Sequence, residues 1–173
     1  LGKGEHVVQV YKDKYDCDSN VLVISSAMKI VGRPDVPKEK IVVVGGFEFK
    51  KGIQENCHLQ HMILRQAKAC GIWGKSSFSM ENVVVEQCGT HGVLAWGTGV
   101  VGRCTNVEVR QCGKGGMVAV FDASITLVGT KTTVHHNCTN GKSGDYGLAV
   151  YHTGTTSSTI QLVSPLTKEQ VAT

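Results

Sequence analysis

Hydrophobic and polar residues alternate with a spacing of two along short segments of this chain. In the segment 81–89, Val83 and Val85 alternate with Val84 and Glu86. A spacing of two is typical of a β-strand that buries one face, whereas an amphipathic helix repeats every 3.6 residues. Glycine-rich turns separate these segments, so the pattern predicts short strands joined by tight turns.

The alternating segment is repeated along the chain. Residues 81–89 (ENVVVEQCG) resemble residues 105–113 (TNVEVRQCG), and each copy is followed by a glycine and a second apolar run. Two less similar copies align with them when four apolar residues are matched, and the matches are 21, 24 and 25 residues apart: Leu64, Val85, Val109 and Val134. A recurring period of this length is the signature of a solenoid.

The content of each repeat selects the type of solenoid. A leucine-rich consensus is missing, and the spacing of two argues against helical repeats. One repeat holds three short segments with strand character, near 83–87, 93–96 and 100–104. The sequence therefore predicts an all-β, right-handed parallel β-helix of about five to six coils. It forms a single domain over 1–173, with regular coils over about 57–163.

Stacking of the coils places equivalent residues in columns. One outward column alternates in charge, which favours pairing between neighbouring strands: Arg65, Glu86, Arg110 and His135. The next column is polar and lies at a bend, and Cys88 should stack on Cys112 in an apolar ladder. Three columns point inward, one headed by Met62, one by Leu64 and one by Ile72. At the far end, Ser164 as N-cap and Pro165 at the first helical position predict a short C-terminal helix.

Composition narrows the functional classes. Net charge is +4, from 18 Lys and Arg against 14 Asp and Glu, and the positive residues are spread along the chain among few aromatic residues. Nucleic-acid binding needs clustered charge, so it is not expected. No apolar run approaches the roughly 18 residues of a membrane span. The seven cysteines lack CxxC pairs and zinc spacing, so no metal site is expected.

At three stretches the sequence resembles the right-handed parallel β-helix superfamily, which includes pectate lyases, polygalacturonases and alginate C5-epimerases. The stretches are 28–32 (MKIVG), 81–85 with Gly92-Val93, and 101–113 (VGRCTNVEVRQCG). The last is similar to the β-helix repeat proteins that marine microalgae encode in many copies. This resemblance covers about 20–165 and implies the fold without implying a reaction.

For the enzymes of that superfamily, the resemblance implies either several Asp around calcium with an Arg base, or a set of Asp with His. This chain shows no paired carboxylates in neighbouring coils, since the column of Asp122 otherwise holds Ser77, Thr98 and Thr153. The candidate catalytic residues are Asp122, His152 and Asp145. His135 and His136 are adjacent, so they face opposite sides of a strand or straddle the bend, and either arrangement predicts a poor geometry for holding one metal ion. No cofactor is expected, and a calcium ion is expected only if the protein is a lyase.

The second strand of each coil carries the main binding signal. Apart from Lys75, its outward positions are apolar or aromatic, which is unusual for a solvent-facing wall. The candidate ligand-binding residues are Trp73, Trp96, Val120 and Tyr151. Two alternatives remain open, namely a strand phase shifted by one residue and a terminal segment packed over this face.

These observations predict a non-catalytic β-helix module that binds carbohydrate or a protein partner through the outer face of this sheet. The alternative is a polysaccharide-active enzyme, acting as a lyase, a C5-epimerase or a hydrolase on a polyuronide-like glycan.

Overall fold

The structure is a computed structural model that describes residues 20–141, 146–152 and 157–171, together with the backbone of strand 6–9. Within these residues, regular structure is almost entirely β. The exceptions are a 3-10 turn at Lys38–Lys40 and one short α-helix, α1, at Lys168–Val171. All strand pairs are parallel, and the strands stack as a solenoid of about five turns.

Two parallel sheets form the walls. The front sheet has one strand from each coil: β2 (Val21–Ile24), β5 (Gly46–Phe49), β7 (Ile72–Gly74), β9 (Val93–Trp96), β12 (Met117–Val120) and β15 (Leu148–Tyr151). The back sheet has the others: β1 (His6–Gln9), β3 (Lys29–Val31), β4 (Ile41–Val44), β6 (Cys57–Arg65), β8 (Phe78–Glu86), β10 (Val101–Thr105), β11 (Glu108–Arg110), β13 (Ser124–Val128), β14 (Thr133–His135) and β16 (Thr159–Leu162). The predicted parallel β-helix is confirmed.

Residues with positive φ make the bends of each coil at fixed positions. His61, Asn82 and Asn106 have φ between 51° and 59° and divide the back-sheet segments into two halves. A second set, with φ between 52° and 56°, follows the last back-sheet strand of successive coils: Gln66, Gln87, Gln111 and His136. The glutamine side chains of this second set are joined by amide hydrogen bonds of 3.4–3.5 Å, which confirms the polar column predicted at the bend.

Glycine is required where the chain enters the front sheet. A Cβ on Gly92 would lie 2.3 Å from Val109 Cγ1 and 2.7 Å from the carbonyl oxygen of Gly116. Gly71 and Gly116 are equally crowded by Val85 and Val134. The repeated glycine therefore follows from close packing of the corner against an inner valine of the back sheet.

The core lies between the two sheets and consists of the predicted inward columns. Val85 and Val109 are fully buried in successive coils, and their backbones pair directly. Most other residues of the predicted inward columns are also buried: Met62, Val83, Val107, Thr132, Leu64, Val134, Ile72, Val93 and Met117. Leu148 in the last coil is partly buried.

The charged column is a connected ion-pair ladder on the back sheet. Glu86 is buried and joins its own coil to the coils on either side, with Oε1 2.6 Å from Arg65 Nε and Oε2 2.7 Å from Arg110 Nη2. Arg110 also donates to Glu108, which contacts His135. Burial raises the pKa of Glu86, but hydrogen bonds from Arg110 and Arg65 outweigh it and hold that pKa below its usual value. The predicted pairing is confirmed for Arg65, Glu86 and Arg110, whereas His135 contacts Glu108 of a neighbouring column.

The six described cysteines are free thiols. Cys88 and Cys112 are buried at equivalent positions of neighbouring coils, as predicted. A thiol hydrogen bond with Cys112, together with burial, raises the pKa of Cys88. Burial alone raises the pKa of Cys104 to about 12.

The C-terminal helix exists, but it starts later than the sequence pattern predicts. Thr167, not Ser164, is the N-cap: its Oγ1 accepts the Gln170 backbone N–H at 3.4 Å, and Gln170 Oε1 accepts the Thr167 N–H at 3.0 Å. This reciprocal pair is a capping box. The helix is delayed because the preceding residues turn to bury Leu166, and Val171 then fills the end of the core.

Candidate functional site

The register of the front sheet matches the prediction. Trp73 pairs with Leu94, and Trp96 pairs with Val120, which pairs with Tyr151. The alternate positions, occupied by Ile72, Val93 and Met117, are buried in the core between the sheets. A phase shifted by one residue is therefore excluded.

Much of the outer face of the front sheet is nevertheless buried. Five side chains form a second apolar cluster outside the main core, with Trp73 packed against it: Cys70, Leu94, Val118, Val120 and Ala149. Val120 is 9% exposed, so little of its side chain is open to a ligand. Alternation gives the direction of a side chain, but burial also depends on what lies above it, and the sequence pattern does not contain that information.

Two aromatic rings on this face are exposed and adjacent. Trp96 is 39% exposed and Phe121 is 37% exposed, and their ring centres lie 4.5 Å apart. Trp73 meets Trp96 edge to face at 6.2 Å. We call Trp73, Trp96 and Phe121 the aromatic platform. Tyr151, the fourth predicted residue, is also exposed and lies two strands from Trp96.

Sequence reasoning missed Phe121. It follows the last residue of β12, and both Phe121 and Asp122 have positive φ, at 55° and 68°. Left-handed residues break the strand alternation, so the direction of the Phe121 side chain does not follow from counting. The available signal was the apolar pair Val120-Phe121 at a strand end, where strict alternation requires one polar member.

A cleft of about 440 Å³ borders Trp96 on the side of the following turn. Turns from three successive coils, at 51–53, 75–77 and 97–100, form its walls. Ser76 Oγ accepts the Ile53 N–H at 3.1 Å and donates to the Lys50 carbonyl at 2.7 Å. Ser77 Oγ accepts the Val101 N–H at 3.0 Å. These bonds tie the turns to one another, so the cleft has fixed walls.

Two lysines line the cleft. Lys51 is exposed, whereas Lys75 is held on both sides. Lys75 Nζ lies 2.7 Å from Glu48 Oε1 and 3.7 Å from the centre of the Trp73 ring. This cation–π contact fixes the orientation of Trp73. The Trp73 Nε1 atom is buried, and it has no hydrogen-bond partner in the described part of the chain. Trp73 therefore offers ring carbons rather than a donor to the surface.

The candidate catalytic residues do not gather into a described centre. Asp122 Oδ1 accepts the Ser157 N–H at 3.2 Å, and the Asp122 N–H donates to Ser158 Oγ at 3.0 Å, so Asp122 ties its turn to the next coil. His152 is exposed at the end of β15. Asp145 lies outside the described residues. In the described ranges, no three His, Cys, Asp or Glu side chains are grouped closely enough to hold a metal ion.

Comparison of this chain with protein-family models, with curated proteins and with solved structures found no match. The described helices include none that is long and apolar enough to cross a membrane.

Proposed function

We infer that this chain is a non-catalytic β-helix module that binds carbohydrate at the aromatic platform and the adjoining cleft. The observation that carries this proposal is the position of Trp96, whose ring is exposed, adjacent to Phe121 and part of the cleft wall. A sugar ring has an apolar face and a polar edge. The aromatic ring would meet the face, while the turns beside it offer polar groups for the hydroxyls.

A sugar ligand suits the surface better than a protein partner does. A stable protein interface buries about 800 Å² on each side. On the front sheet, several outward apolar side chains are already covered: Leu94, Val118, Val120 and Ala149. The outward apolar or aromatic side chains of its strands that remain exposed are Val23, Trp96 and Tyr151. A cleft of about 440 Å³ is within the range of small-ligand sites.

The lysines favour a sugar that carries an acidic group. Glu48 already neutralises Lys75, but Lys51 is exposed at the cleft and has no such partner among the described ion pairs. The mildly positive net charge acts in the same direction. We also propose that the chain is distantly related to the pectin-lyase-like superfamily and to the algal repeat proteins. The parallel solenoid with a repeat of 21–25 residues supports this relation.

The test compares glycan binding by the wild-type chain and by Trp96→Ala, on an array holding neutral, uronate and sulfated glycans. Loss of an exposed stacking ring should weaken binding by about 2 kcal/mol or more, which is about thirtyfold. The melting temperature should change little, because the ring lies outside the core. Val31→Ala is the matched control, since Val31 is 44% exposed on β3 of the other sheet and is not part of the cleft wall.

Three outcomes would overturn the proposal. They are an array without any bound glycan, undiminished binding by Trp96→Ala, and a large fall in its melting temperature, which would make Trp96 a structural residue. The same glycans should be incubated with the protein with and without calcium. Cleavage or epimerisation would favour the alternative of an enzyme that uses Asp122, His152 or Asp145.

A further inference from the structure

We propose that His135 and His136 form a binding site for a divalent transition-metal ion, with the two Nδ1 atoms as ligands. Adjacent residues of a regular strand point to opposite faces. Here β14 ends at His135, and His136 has a φ of 52°, so the chain turns between the two side chains. The Nδ1 atoms lie 2.6 Å apart and the ring centres 4.9 Å apart. Of the two predicted arrangements, the structure has the one that straddles the bend, and there the two Nδ1 atoms lie close together rather than in a poor geometry.

Glu108 determines which nitrogen of His135 is free to bind. Its Oε1 lies 3.1 Å from His135 Nε2 and 2.7 Å from Arg110 Nη1. An ionised carboxylate only accepts hydrogen bonds, so Nε2 carries the proton. In neutral His135, Nδ1 then has a lone pair directed at His136. A histidine whose second nitrogen donates to a carboxylate is the usual arrangement of a metal ligand, because it fixes the ring and strengthens the other nitrogen as a donor to the metal.

The charges behind this pair are already balanced. Two arginines and two glutamates alternate along the ladder and are joined by three ion pairs of 2.6–2.7 Å: Arg65, Glu86, Arg110 and Glu108. The guanidinium of Arg110 is therefore engaged by two carboxylates. A cation at the two imidazoles consequently meets a neutral ladder whose nearest member is the carboxylate of Glu108.

Ligand type and geometry indicate the class of metal. Neutral imidazole suits Zn²⁺, Cu²⁺ and Ni²⁺, whereas Ca²⁺ and Mg²⁺ prefer oxygen. Two nitrogens at about 2.0–2.1 Å from a tetrahedral Zn²⁺ are roughly 3.3 Å apart, so the rings must separate by roughly 0.7 Å. His136 is exposed and has room to rotate. On binding, the proton on His136 Nδ1 moves through solvent to His136 Nε2. The neutral pair of histidines therefore releases no proton when the metal binds. Water fills the other coordination positions of the metal.

The repeat itself supplies the test variant. The position of His136 is occupied by glutamine in three other coils, at Gln66, Gln87 and Gln111, each with a φ of 56°. His136→Gln should therefore fold as the wild type does, and it removes one ligand. Zn²⁺ alone is titrated by calorimetry near pH 7.5. We expect a wild-type site that His136→Gln weakens at least tenfold, and that Glu108→Gln weakens by about tenfold through the loss of the oriented hydrogen bond.

The control is His58→Gln, on β6, where His58 Nδ1 bonds Ser79 Oγ at 2.8 Å, remote in sequence from the pair. Its Zn²⁺ affinity should equal that of the wild type. Histidine ¹⁵N spectra of the wild-type protein provide a readout without any variant, since Zn²⁺ should shift the Nδ1 resonances of His135 and His136 while His135 Nε2 stays protonated. Coordination through Nε2, no binding by the wild type, or equal binding by a folded His136→Gln would overturn the proposal.

Discussion

Replacing Glu86 by glutamine tests whether the buried ion-pair ladder stabilises the solenoid. Glu86 accepts hydrogen bonds from Arg65 Nε at 2.6 Å and from Arg110 Nε and Nη2 at 2.9 and 2.7 Å. These bonds connect β6, β8 and β11, which belong to three successive coils. Glutamine has the same shape, but it is neutral and has one oxygen in place of two, so at least one arginine loses its bond to this residue, although Arg110 keeps Glu108 as a partner.

The magnitude follows from the exposure of the partners. Removing one member of a fully buried pair costs about 3–5 kcal/mol, because the other charge stays buried without a partner. Here the carboxylate is buried, but about a third of each arginine side chain is exposed, so water can solvate the freed guanidinium. We therefore expect a loss of about 2 kcal/mol in the free energy of unfolding. For a domain of this size, that lowers the melting temperature by roughly 4–8 °C.

The pH dependence gives a second check. The folded-state pKa of Glu86 lies below its ordinary value near 4.5. Between the two values the unfolded chain binds more protons than the folded one, so the stabilisation is complete above the ordinary pKa and is lost as pH falls toward the folded pKa. The stability difference between wild type and Glu86→Gln should therefore be constant from pH 7 down to about pH 5 and should shrink below about pH 4.

Urea unfolding followed by tryptophan fluorescence measures this difference. Glu81→Gln is the matched control, because Glu81 is an exposed carboxylate on the same strand, β8, and should change stability by less than about 0.5 kcal/mol. Equal stability of Glu86→Gln and wild type at pH 7 would show that the ladder contributes nothing. A difference that persisted unchanged at pH 3 would show that the effect is not due to the charge of Glu86.

Two further predictions concern the core and the corners. Val109→Asp places an unpaired charge at a fully buried position and should prevent cooperative folding at 25 °C, as measured by circular dichroism; a soluble, cooperatively unfolding variant would contradict the assigned register. Gly92→Ala should cost about 1–3 kcal/mol in urea unfolding, since its Cβ would overlap Val109 and the Gly116 carbonyl. At the same corner of the last coil, a Cβ on Gly147 would meet only Val134, at 3.8 Å, so Gly147→Ala should cost much less. Equal stability of the two glycine variants would show that the corner does not require glycine.

The sequence was most informative about the regular coils. Leu64, Val85 and Val109 recur at a nearly constant period, and the spacing of two around them gives both the strand and its inner face. That information is local and repeated, so four copies support the same register. The charge alternation of Arg65, Glu86 and Arg110 was predictable for the same reason, because stacking in register brings equal positions together.

The candidate site was predictable only in part. The outward direction of Trp73 and Trp96 followed from the strand phase, but the burial of Val120 and the exposure of Phe121 did not. The start of α1 was predicted too early, because Ser164-Pro165 has the local sequence of a helix N-terminus. The helix begins later because Leu166 is buried against the rest of the fold, which the local sequence does not indicate.

The sequence by itself determined the solenoid, because each coil repeats the same short strands, bends and glycine corner, and each repeat buries its apolar face only against its neighbours. The tertiary structure alone decided which side chains meet at the bends and strand ends. Positive φ at Phe121, Asp122 and His136 turns side chains out of the alternation, which places Phe121 beside Trp96 and His136 beside His135. A backbone angle at one residue redirects its side chain without changing the hydrophobic pattern around it, so these juxtapositions are visible only in the folded chain.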